Sequence, residues 1–287
     1  MCHRKNHLKN RLIFFFSLLL LYGVAIPQEA IEVGRIDLTK NVIDSEFEPN
    51  RLVKIPNGLI FLDTQNRRIG SWVSDTLLIK GGFGAGESGL FDPVDIVSHQ
   101  LDVFILDRTE NRISRFDVQL NFIQSISFAE NDGGLFPTSM GNDSRGWLYF
   151  YSPETHQIYR SNPNSSQLNT FIDLNSFPRT EDCVASMRFG RNDQLALLYN
   201  CINEIHLFSR TGKMERRFKV NIENPALILS FQKFWVILNE TGDIQFIGET
   251  PFALDLNDAL RDAIVDGDFL NVLTDKELII FDINVPK

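Results

Sequence analysis

The chain has 287 residues, 43% of them hydrophobic and 11% aromatic, which is enough apolar material for a large globular core. Its 28 Lys and Arg stand against 37 Asp and Glu, a formal charge of −9, and that balance argues against a nucleic-acid binder. Long amphipathic helical patterns are absent from the body of the chain, so its elements read as strands.

Residues 1–26 have the make-up of an export signal. Arg4, Lys5, Lys9 and Arg11 precede an apolar run from Leu12 to Ile26. That run is shorter than the ~20 residues of a membrane-spanning helix. Gly23, Val24 and Ala25 offer small residues for cleavage. The expectation is an exported protein, periplasmic or extracellular, with an uncleaved N-terminal anchor as the alternative. Removing the leader leaves 24 basic against 37 acidic residues, or −13, a charge that favours solubility and repels anionic surfaces.

After the leader, Ile31 to Leu38 forms a lone strand. Its apolar residues change phase at Gly34, which predicts a bulge. The first full repeat then runs Arg51–Ile55, Leu59–Leu62, Ile69–Val73 and Thr76–Lys80, with a polar turn from Asp63 to Arg68. Gly81 to Gly89 reads as a glycine-rich connector between repeats, since no Lys-Ser or Lys-Thr follows it to hold phosphate. The second repeat is the best preserved: Val94–Ser98, Asp102–Leu106, Ile113–Asp117 and Phe122–Phe128. Asp63, Arg68 and Ile69 match its Asp107, Arg112 and Ile113 at equal spacing.

The third repeat opens at Gly134-Leu-Phe-Pro137 and continues through strands at Trp147–Tyr151, Ile158–Ser161 and Gln167–Leu174. The fourth runs Cys183–Phe189, Gln194–Asn200, Glu204–Phe208 and Lys213–Val220. The fifth runs Ala226–Ser230, Phe234–Leu238, Asp243–Ile247 and Pro251–Asp255. The sixth has Ala263–Val265, Phe269–Leu273 and Leu278–Asp282, and lacks a fourth strand. Four antiparallel strands in about 40 residues are one blade of a β-propeller. The blades are expected at roughly 49–80, 91–128, 136–174, 183–220, 225–256 and 262–283 plus 31–38, the N-terminal strand completing the sixth and closing the ring.

Cys183 and Cys201 fit an oxidising compartment. A hairpin folded about Asn192 sets opposed positions facing each other, and these two cysteines fall opposite, within reach of a disulfide.

The glycines 84, 86 and 89, with Leu90, Phe91 and Pro93, then Leu106, Asp107, Asn111, Arg112, Ile113, Phe116 and Asp117, resemble the NHL repeat. The match covers about 70 residues; later repeats keep the apolar skeleton only. The resemblance implies a six-bladed propeller that binds partners or ligands, here a protein or a glycan. Some propellers of this architecture are instead enzymes: lactonases hold calcium with Glu, Asn and Asp near the channel, and amidating lyases hold zinc with three His. His99, His156 and His206 occupy unlike positions in their repeats and read as isolated surface residues, not a zinc set. Calcium takes oxygen ligands, and Asp63, Asp92, Asp95, Asp107 and Asp182 sit at strand starts or polar turns that gather on one face. With Arg68 and Arg112 they are the candidate ligand- or partner-binding residues. The plainer expectation is that Asp63 and Asp107 cap their own turns and that the two arginines pair with acids. Trp72, Trp147 and Trp235 fall in core patterns and are expected to pack. No residue is assigned a catalytic role.

Overall fold

The structure is a computed structural model that describes residues 30–39, 47–82, 84, 86, 88–128, 134–177 and 182–285. The leader lies outside these residues. Strand β1 (Ala30–Asp37) comes first. Blade one holds β2 (Arg51–Ile55), β3 (Gly58–Asp63), β4 (Arg68–Val73) and β5 (Thr76–Gly81). Blade two holds β6 (Pro93–His99), β7 (Asp102–Asp107), β8 (Arg112–Asp117) and β9 (Phe122–Ser127). Blade three holds β10 (Ser139–Asn142), β11 (Leu148–Ser152), β12 (Gln157–Ser161) and β13 (Asn169–Asp173). Blade four holds β14 (Val184–Phe189), β15 (Leu195–Tyr199), β16 (Glu204–Phe208) and β17 (Met214–Lys219). Blade five holds β18 (Pro225–Phe231), β19 (Phe234–Asn239), β20 (Asp243–Phe246) and β21 (Phe252–Ala253). Blade six joins β22 (Leu260–Asp266), β23 (Phe269–Thr274) and β24 (Glu277–Ile283) to β1, in the order β1-β24-β23-β22.

All six sheets are antiparallel and four-stranded, and the first strand of each blade lies beside the first strand of the next around the ring. The expected closure by the N-terminal strand is present: Ala30 pairs Ile283 and Asp37 pairs Glu277, with the register shift between Glu32 and Gly34. Closure hides the edge of β24 that would otherwise invite pairing with another chain.

The core consists of six slabs, one between each pair of neighbouring blades. Strand β7 shows why. Successive side chains point to opposite faces, so Val103 and Ile105 enter the slab shared with blade one, while Phe104 and Leu106 enter the slab shared with blade three. All four are at most 1% exposed. The second strand of each blade is therefore mostly apolar, with polar residues such as Asn271 and Thr274 of β23 as exceptions. Fully burying each such side chain contributes roughly 1.5–3 kcal/mol.

Three elements differ from the sequence expectation. Blade three begins with Ser139–Asn142, a strand without β-branched residues and hence without a strand signal. The run expected as Gln167–Leu174 stops at Asp173, whose Oδ1 accepts from Asn175 N–H (3.1 Å) and starts a short 3-10 turn at Leu174–Ser176. The run expected as Pro251–Asp255 shrinks to two residues, because Pro251 has no N–H for the ladder and a turn at 246–249 folds the chain beside it.

Candidate functional site

The inter-blade connectors and the turns between second and third strands share one face of the ring, because each second strand runs back toward the start of the first. Most sequence-selected residues lie there. Asp63 and Asp107 occupy the same place, the last residue of a second strand, and both are fully buried. Asp63 Oδ1 accepts from Gln65 N–H (3.1 Å) and Asn66 N–H (2.8 Å), capping its own turn. Its Oδ2 accepts from Glu48 N–H at 2.7 Å. Asp107 instead caps the connector: Phe91 N–H donates to Oδ2 (2.9 Å) and Asp92 N–H to Oδ1 (3.0 Å).

Arg112 approaches Asp107 Oδ2 at 3.3 Å, donates to the Gly89 carbonyl at 2.6 Å and lies 5.5 Å from the Phe91 ring. It thus pairs within its own blade. Arg68 holds the matching position at the start of β4. Gly89 has to be glycine: a Cβ there would lie 1.8 Å from the Gly84 carbonyl oxygen.

Asp92 is nearer the surface. Arg108 Nε donates to it at 2.8 Å and Thr109 Oγ1 at 2.7 Å. Partial burial pushes its carboxyl pKa up, but the hydrogen bonds from Arg108 and Thr109 and the charges of Arg108 and Arg67 outweigh this and hold it below the ordinary value.

Asp95 sits apart from this face, buried in β6. Its Oδ1 accepts from Ile96 N–H (2.9 Å) and its Oδ2 from Met140 N–H (2.7 Å), a bond into the inner strand of blade three. Sequence reasoning missed two residues with the same duty. Asp262 of blade six accepts from Ala263 N–H and from Leu52 N–H of blade one, both at 2.9 Å. Ser186 of blade four accepts from Ile228 N–H of blade five (3.3 Å). Alternate blades therefore carry a polar residue, just past a register shift, that latches the next inner strand. Burial pushes the Asp262 carboxyl pKa up, opposed by Arg188, Arg51 and the two backbone donors.

Asp182 lies in the connector before blade four and accepts from Tyr151 O–H at 2.6 Å. His156 Nδ1 stands 3.3 Å from the same hydroxyl and 3.8 Å from Asp182. Burial, then the hydrogen bond to Asp182, pushes the Tyr151 phenol pKa well up. The reading of these histidines as isolated surface groups fails here. His156 is part of this cluster, and His206 is fully buried in β16, 4.5 Å from the Tyr199 ring, with Nε2 3.1 Å from Glu204. A His in a strand buried on both faces must face a slab.

The central channel is bordered by the inner strands. Its cavity of about 320 Å³ is lined by apolar and small residues such as Val53, Val97, Gly141 and Leu229, with Lys54 and Arg188 as its cations. Among the described residues, no three His, Cys, Asp or Glu side chains form a group able to hold a metal ion. Trp72 and Trp235 pack in slabs, and Arg160 lies 4.9 Å over the Trp147 ring. Cys183 and Cys201 form a disulfide with a Cα–Cα distance of 6.0 Å.

No family model and no curated protein matches this sequence. Solved structures do match its fold. Selenomethionine-substituted virginiamycin B lyase from Staphylococcus aureus superposes with a TM-score of 0.63 at 11% identity, over 89% of this chain and 99% of that one. A putative gluconolactonase gives 0.62 at 15% identity, over 94% and 96%. YCF48 bound to a D1 peptide gives 0.52 at 10% identity, over 90% and 97%. At such identities the likeness is one of architecture: the chain is a six-bladed β-propeller of the kind on which the lyase and the gluconolactonase are built.

Proposed function

We propose that the protein is an exported, NHL-like propeller that acts as a non-catalytic binding module, presenting its connector face to a protein or glycan partner. One observation carries this reading. The carboxylates gathered at that face are already engaged, Asp63 and Asp107 by backbone N–H groups and Asp92 by Arg108 and Thr109. They stiffen the connectors and fix the shape and charge of the face, as recognition requires, and they do not converge on one point, as metal-assisted chemistry requires. The fold itself is neutral on the matter, because it serves enzymes and binders alike.

The test is thermal melting of the mature protein with millimolar calcium. Specific binding must stabilise the folded state, so the expected result is an unchanged melting temperature. A rise of several degrees would favour a calcium-dependent lactonase and end this reading. A second reading rests on the Tyr151–Asp182–His156 cluster, which has the parts for proton transfer. It predicts hydrolysis of a lactone panel that Tyr151→Phe abolishes; the binding reading predicts no turnover by either protein.

A further inference from the structure

Blade five is cut short at its rim. Strand β20 has four residues and β21 two, beside six in β17 of blade four. Beside Ile247, ahead of the point where β21 begins, a groove of about 780 Å³ opens against β17. It continues into a second hollow of about 440 Å³; Gln194, Glu215, Lys233, Phe234 and Trp235 line both. The turn Arg191–Asp193 and the turn at 209–213 border it, so it lies on the side of the ring away from the connectors.

The lining divides by chemistry. Leu207, Met214, Phe218, Trp235 and Ile247 supply apolar surface. Trp235 Nε1 donates to Gln194 Oε1 at 3.0 Å, which fixes the indole. Lys213, Arg216 and Lys233 line the first hollow, and Arg191 and Arg210 the second. All five are exposed, and none makes an ion pair among the described residues. Arg108, Arg112, Arg115 and Arg145, in contrast, each face a carboxylate within 4 Å. The one acid in the lining, Glu215, accepts from Gln194. Five cations without an ion pair thus line the two hollows against a single acid, in a molecule whose net charge is −9. Like charges held together raise the free energy of the empty groove, and an anionic occupant would relieve it.

We propose that this groove binds an extended polypeptide segment in which acidic residues alternate with large apolar ones. In an extended chain successive side chains point to opposite sides, so apolar groups reach the aliphatic and aromatic floor while carboxylates meet the cations of the rim. A polysaccharide would bring no aliphatic side chain to Leu207, Met214 and Ile247. A nucleic acid would be repelled by the rest of the surface. The site is separate from the connector face and stands whether or not that face binds a partner.

The probe is a fluorescein-labelled peptide of repeated Glu-Leu-Glu-Phe, followed by anisotropy and by Trp fluorescence of the mature protein. Saturable binding is expected, weaker at higher salt and weakened about tenfold or more by Lys213→Glu with Arg216→Glu. Lys80→Glu, on the outer strand of blade one across the ring, is expected to leave it unchanged. Lys233→Glu serves as a second variant, and melting curves confirm that each variant is folded. Absence of saturable binding, equal binding of a Lys-Leu-Lys-Phe peptide, or affinity untouched by the charge reversals would each overturn the proposal. So would binding of polyglucuronate in place of the peptide.

Discussion

Asp107 has two oxygens and three donors on two segments: the N–H groups of Phe91 and Asp92 and the guanidinium of Arg112. Truncation to Ala leaves these donors without their acceptor in a buried site. Asp107→Ala is expected to lower stability by about 3 kcal/mol, seen as a reduced urea midpoint with unchanged slope. His206 gives a pH effect of known sign. Burial, only partly offset by Glu204, holds its imidazole pKa below the ordinary 6.5. The unfolded chain takes up a proton near pH 6.5 that the folded blade resists, so this site leaves stability unchanged above that pH and removes it as pH falls below. Urea midpoints compared near pH 7.5 and about pH 5.5 are expected to show the drop in the natural protein and a smaller one in His206→Gln. Neither buried His nor latching acid was legible in the sequence. Glu-Ile-His-Leu-Phe has the alternation of a half-exposed strand, and only the packed neighbour shows that both faces are covered. Asp95 and Asp262 meet their donor partners at sequence distances of 45 and 210, beyond any local pattern.

The hairpin of β14 and β15 shows how far register can be inferred. Folding about Asn192 fits the pairs from Ser186–Leu198 to Phe189–Leu195, but a register shift between Val184 and Ser186 moves the pairing by one residue. Cys183 therefore lies beside Asn200, whose N–H it accepts at 3.3 Å, and the disulfide reaches Cys201 on the diagonal. With a sequence separation of 18 between the cysteines, reduction is expected to cost roughly 3 kcal/mol. Mass spectrometry of the unfolded, unreduced chain should find no alkylatable thiol at either position; two such thiols would contradict the bond. Elements were most legible where turn residues and period-two patterns agreed, as in blade two. They were least legible where the backbone was shaped by a neighbour, as at the shortened β21. The sequence holds three Asn-x-Ser/Thr sequons, at Asn142, Asn164 and Asn239; of these only Asn164 sits in an exposed turn, since Asn142 faces the channel and Asn239 is buried.

At the scale of the whole molecule, stability is spread over six slabs, each shared by two blades. No blade can bury its faces alone, which is the physical content of a repeat architecture closed on itself. That much was legible, because the count of apolar second strands fixes the count of slabs. The use of each surface was not, because rim and connectors depart from the repeat. One consequence concerns timing. Blade six takes β1 from the start of the described chain and β22 to β24 from its end. During synthesis from the N-terminus, Ile31 and Val33 have no partner strand until Leu278 to Ile283 arrive. The last step of folding then joins the most distant parts of the chain, which makes closure slow and leaves a sticky intermediate exposed in the interval. A chain lacking residues up to Asp37 is expected to stay in that state, detected as soluble aggregate by size-exclusion chromatography; a monomer of unchanged melting temperature would refute it.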